Sequence, residues 1–126
     1  GTSPILIAVT QLTSTSQAQM QNDLLIPHSI EDTVIAYAKN TKKAGLDGVV
    51  CSPLEAESIH KHCGREFMTI TPGIRFAGSA ADDQTRITTP ERAREIGSDF
   101  IVVGRPITRA DDPVSAYKRC VEGFCR

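Results

Sequence analysis

Two stretches decide how this chain is read: "FMTITPGIR" at Phe67–Arg75 and "FIVVGRPIT" at Phe100–Thr108. Each starts as a short, β-rich apolar run and breaks into a turn, Pro72-Gly73 in one and Gly104 in the other. Each carries an arginine just past the break, Arg75 and Arg105. Two more apolar runs, Ile5–Val9 ("ILIAV") and Gly48–Cys51 ("GVVC"), complete the set. The runs are continuous rather than alternating, which suits strands covered on both faces, as in parallel sheets.

Helix patterns with explicit start signals separate the runs. Ser29 precedes Ile30–Ala44, with Asp32 in the capping-box position and Gly45 as the stop. Ser52-Pro53 opens a second helix, with Glu55 in the capping-box position and Gly64 as its stop. Thr89-Pro90 opens a third that ends near Gly97, and Asp112-Pro113 opens the last. Proline at the first helical position loses no hydrogen bond, because that N–H has no intrahelical partner. The order is therefore βαβαβαβα, an α/β fold with right-handed crossovers.

An open doubly wound sheet and a (β/α) barrel both fit that order. No glycine-rich dinucleotide fingerprint follows a strand, since "GTSPIL" precedes one. Polar residues instead gather just after the strands: Thr13, Ser14, Arg75, Gln84, Gly104 and Arg105. That placement favours a barrel, whose sites lie at the C-terminal ends of its strands. Four βα units make half of an eight-unit barrel. Both outer strands are then open edges, and one sheet face is expected to be bare and apolar. A fragment of a larger protein, or a chain that pairs with something, is expected.

Composition narrows the function. The 126 residues suit one domain, here spanning 1–126, and the net charge of −1 gives no general affinity for nucleic acid. No apolar run approaches the roughly 20 residues of a membrane span, and no signal peptide is visible. Cys51, Cys63, Cys120 and Cys125 show no CxxC spacing and read as reduced thiols of a cytosolic protein. The run "HKHC" offers His60, His62 and Cys63, but a helix spreads adjacent side chains around its axis, so no metal site is expected there.

The loop Pro72–Thr88, "PGIRFAGSAADDQTRIT", carries Arg75 and Gln84 at its two ends. Arginine grips phosphate bidentately, and the glutamine amide adds a donor. The plainer reading is a surface salt bridge from Arg75 to Asp82 or Asp83. Gly104 admits a ligand close to the backbone, where its N–H and that of Arg105 can face an anion. If these strands are the last two of a barrel, the two loops converge on a recurring phosphate site. After the first strand, the hydroxyls of "TQLTSTSQAQ" either meet a polar ligand or cap a short helix near Ser16–Asn22.

Taken together, "LIAVTQLTS", "GLDGVVCSPLEA", "TITPGIR", "DDQTRITTPERA" and "GSDFIVVGRPIT" resemble the C-terminal half of the orotidine 5′-phosphate decarboxylase family, from about Pro4 to Tyr117. The resemblance implies a (β/α)8 barrel, usually a homodimer, that converts orotidine 5′-monophosphate to UMP and CO2 with neither cofactor nor metal. It implies phosphate contacts at Gln84, Gly104 and Arg105, a substrate contact at Arg75, and a pyrimidine or ribose contact at Thr13. The family's catalytic lysine and aspartate array is built on an Asp-x-Lys-x-x-Asp motif, which this sequence does not contain. No catalytic residue is therefore assigned to this chain; the resemblance implies that an N-terminal half supplies that array. Two other readings stand beside it: a magnesium-dependent phosphosugar lyase of related barrel type, and a non-catalytic half-barrel that binds phosphate ligands.

Overall fold

A computed structural model describes residues 1–79 and 86–126. Four strands, β1 (Ile7–Val9), β2 (Gly48–Val50), β3 (Met68–Thr71) and β4 (Phe100–Ile101), form one parallel sheet in the order β1-β2-β3-β4. Neighbours in sequence are neighbours in space, as right-handed βα units require. The register pairs Ala8 with Val49, Val49 with Thr69, and Thr71 with Ile101.

The helices follow their caps. Ser29 accepts the Asp32 N–H at 3.1 Å and starts α2 (Ile30–Lys43), which carries Glu31 and Asp32 in its first turn and Lys42 and Lys43 in its last. That charge order suits the helix dipole. Ser52 starts a 3-10 turn (Pro53–Glu55) that runs into α3 (Ala56–Cys63), so the single expected helix comes in two pieces. Thr89 caps α4 (Pro90–Ile96), and Asp112 caps α6 (Pro113–Cys125). Gly97 closes α4 at φ 94°, a left-handed conformation that costs glycine least. After β1, Ser16 and Gln19 form a reciprocal capping box for α1 (Gln17–Asn22), so part of the polar run caps a helix. No start signal announced α5 (Arg105–Thr108), one turn beginning at Arg105.

The main core lies between the sheet and its helices. It gathers Val34, Ala38, Val49, Cys51, Ile59, Cys63 and Phe67. Gly48 belongs to this packing, because a Cβ there would fall 2.3 Å from the Met68 carbonyl oxygen. Only glycine lets β2 approach β3 so closely.

The opposite sheet face is different. Ile7 and Val9 flank Ala8 on β1, and Phe100 and Val102 flank Ile101 near β4; side chains alternate along strands, so both pairs point away from the helices. Val9, Phe100 and Val102 are each more than half exposed, and Ile7 is over one third exposed. A closed barrel would bury this face. Both outer strands are shorter than the apolar runs predicted. With a partner on one side only, they have fewer ladder bonds to extend them, and the Leu6 N–H goes to the Asp47 carboxylate instead.

Candidate phosphate site

Parallel pairing brings every strand's C-terminal end to the same edge. Thr13, Arg75 and Arg105 each stand four residues beyond a strand end, at Val9, Thr71 and Ile101. They therefore belong to one rim.

Arg75 and Arg105 line a single open cleft of about 270 Å³, together with Phe76, Ser79, Pro106, Arg109 and Ala110. This is below the roughly 300–1,000 Å³ of a drug-sized pocket and suits a small anionic group. Arg75 is 7% exposed, and Asp82 and Asp83, its partners in the plainer reading, lie outside the described residues. Its Nη1 donates to the Ile74 carbonyl at 2.7 Å, which steadies the guanidinium at the cleft wall. Three of the described residues lining this cleft are arginines, a side chain whose fork of donors suits an anion. Phe76 is backed by the Arg119 guanidinium, 4.1 Å from the ring centroid, which ties this wall to α6.

Gly104 is the N-cap of α5. A Cβ built there would meet nothing within 4 Å, so its backbone faces open space beside Arg105. Thr13 is buried and lines another pocket, with Gln11, Leu12, Ser14, Val50 and Pro72. The structure thus brings Arg75 and Arg105 together and sets Thr13 apart. Gln84, Asp82 and Asp83 lie outside the described residues.

The "HKHC" side chains take separate roles. His60 Nε2 meets Asp99 Oδ2 at 2.8 Å, His62 Nδ1 meets the Ser58 carbonyl at 2.7 Å, and Cys63 packs in the core. Burial, and then the nearby Glu55 charge, push the Cys51 thiol far above its ordinary value, so it stays protonated and unreactive.

Sequence reasoning missed Phe76, Arg109 and one further cluster. The Arg86 side chain forms an ion pair with Glu55, and both are nearly buried, 12% and 7% exposed. Burial raises the Glu55 pKa above the ordinary carboxylate range, opposed by the Arg86 charge and by hydrogen bonding from Ser52 and Arg86. The Glu55 carboxylate thus meets Arg86, 31 residues away, as well as Ser52 at the helix start.

A parallel sheet of four βα units with an arginine-lined cleft at the strand C-termini defines the class: half of a (β/α) barrel. The family model described as "Orotidine 5'-phosphate decarboxylase / HUMPS family" matches residues 1–120. The chain belongs to that family. It is 57% identical over 115 residues to the orotidine 5′-phosphate decarboxylase of Bacillus cereus strain B4264, covering 91% of this chain and 48% of that protein. The crystal structure of orotidine 5′-phosphate decarboxylase from Lactobacillus acidophilus superposes with a TM-score of 0.80 at 42% identity, over 98% of this chain and 50% of that one. The enzyme from Pyrococcus horikoshii OT3 shares the fold, with a TM-score of 0.66 at 19% identity. The chain spans about half the length of the curated relatives it matches.

Proposed function

We propose that this chain is the C-terminal, substrate-gripping half of an orotidine 5′-phosphate decarboxylase. One observation carries the reading: Arg75 and Arg105, from loops after neighbouring strands, share one cleft in a chain 57% identical to a curated member over 91% of its length. In this reading Arg75, Arg105, Gly104 and Gln84 hold the phosphate, and Thr13 meets the nucleoside part. An N-terminal half covers the bare apolar face and brings the lysine and aspartate array.

The chemistry divides accordingly. Loss of CO2 breaks the bond to C6 of the pyrimidine and leaves its electron pair on that carbon. A lysine ammonium of the other half stabilises the developing charge and then gives C6 its proton. Binding energy from the remote phosphate organises that site without touching the reacting bond. No metal or cofactor is called for in this scheme. In this reading the assembled enzyme is a homodimer that works in the cytoplasm, as the family resemblance implies.

The test is complementation. The chain is co-expressed with the N-terminal half of the Bacillus cereus relative, and UMP formation from orotidine 5′-monophosphate is measured. Activity in the assembled complex, and none in either half, is expected. A demonstrably assembled but inactive complex overturns the reading.

A further inference from the structure

The loops after β1, β2 and β3 meet at one side chain outside the phosphate cleft. Arg86 Nη2 donates to the Leu12 carbonyl at 2.6 Å and the Gln11 carbonyl at 3.1 Å, both in the loop after β1. Its Nη1 pairs with Glu55, in the turn after β2. Its own backbone completes the tie: the Arg86 N–H donates to the Thr13 carbonyl at 3.2 Å, and the Ser52 hydroxyl donates to the Arg86 carbonyl at 3.0 Å. Two residues on, Thr88 pairs with the other arm of its loop, donating to the Gly73 carbonyl at 3.1 Å and accepting the Arg75 N–H at 2.9 Å. Arg86 is thus bonded directly to the segment holding Thr13, and its own arm of the loop is bonded through Thr88 to the segment holding Arg75.

A planar guanidinium is suited to this job. It presents donors in a fixed fork, so one group reaches a carboxylate on one side and two carbonyls on another. Lysine has the charge but not the fork. Glu55 is the counter-ion that lets this charge sit under the rim.

We propose that Arg86, held by Glu55, is a positioning residue that locks the loop after β1 to the loop after β3, and so sets Thr13 at a fixed place relative to Arg75. What it positions rests on the substrate-site reading above; that it locks the loops does not. A residue needed only for stability would be replaceable, with its partner, by apolar side chains of similar size, because such replacement of a buried ion pair is often neutral. A positioning residue would not be.

The test therefore compares the wild-type chain with Arg86→Lys and with the double variant Glu55→Met/Arg86→Met. Amide hydrogen exchange is followed at Thr15, whose N–H donates to the Leu12 carbonyl at 2.9 Å, and at Val49 and Thr69 in the sheet. Exchange at Thr15 about tenfold faster or more in both variants, with Val49 and Thr69 unchanged, is expected of a local tether. Unchanged exchange at Thr15, or an equal rise at all three sites, overturns the proposal. In the assembled enzyme, the same variants are expected to raise KM about tenfold with kcat changed far less, the signature of lost substrate positioning in the ground state. A double variant with wild-type KM also overturns it. If wild-type assembly gives no decarboxylation, the substrate reading falls and the exchange result alone decides the locking role.

Discussion

Two buried or half-buried carboxylates sit at opposite ends of the sheet, and they titrate in opposite directions. Asp99 precedes β4, at the base. Its Oδ2 accepts the Thr69 N–H at 2.9 Å and the Thr69 hydroxyl at 3.1 Å and meets His60 at 2.8 Å, while Oδ1 accepts from Arg65 at 2.6 Å. Burial would raise its pKa, but the hydrogen bonds from Thr69, Arg65 and His60 outweigh it and leave the carboxyl below its ordinary value. Glu55 lies under the rim. One of its oxygens takes Arg86, and the other is buried with no donor at good hydrogen-bond geometry. Its pKa is raised. At the base, charge is fully supplied with donors and supports the fold. At the rim, charge is held at a cost, with one buried carboxylate oxygen lacking a donor.

The largest effect should come from breaking the rim pair on one side only. Arg86→Met leaves Glu55 buried without its counter-ion and should destabilise the chain by about 4 kcal/mol, read by urea unfolding. Adding Glu55→Met should return most of that. If the single variant unfolds like wild type, the contrast between rim and base is wrong.

Arg105→Ala should separate grip from fold. In the assembled enzyme it should lower kcat/KM about 100-fold, the equivalent of one charged hydrogen-bonding group, with little change in melting temperature. A large loss of stability with unchanged kcat/KM would assign this arginine to the fold instead.

The pH dependence sharpens the contrast further. A depressed carboxyl adds stability that is present above its unfolded value and lost as pH falls below about 4 through the folded value. Asp99→Asn should therefore flatten the acid limb of a melting-temperature profile. Glu55 has the opposite sign: its contribution is fully present below its unfolded value of about 4.3 and is lost as pH rises through the folded value. Glu55→Gln should flatten the decline toward neutral pH and leave the acid limb alone. Matching slopes in the two variants would erase the distinction.

The smallest effect belongs to the exposed arm at the base. Arg65 is 68% exposed, and Arg65→Met should cost at most about 1 kcal/mol, because solvent screens the pair and Asp99 keeps its other donors. A loss as large as that of Arg86→Met would show that position along the strands does not matter.

Much of this was written locally. Ser29, Ser52, Thr89 and Asp112 all stand as N-caps in the structure, because a cap depends on a hydroxyl or carboxylate reaching a backbone N–H two or three residues away. Arg75 and Arg105 were legible for a similar reason: they follow strand ends, and parallel strands put such positions on one edge. Arg109 and Phe76 were not: Arg109 caps the end of α5, a one-turn helix with no start signal in the sequence, and Phe76 opens a turn but has no polar side chain of its own. Glu55 read as part of a helix start, although its main partner lies 31 residues away.

The order of strands and helices, the parallel sheet, and the two arginines at neighbouring strand ends follow from short-range chemistry: periodicity, proline, glycine and capping groups. Which charges are buried, which loops are tied together and which sheet face stays bare depend on contacts between residues far apart in the chain. Those contacts form only when the sheet is packed, so their energies have no local trace, and only the tertiary structure places Arg86 among three loops.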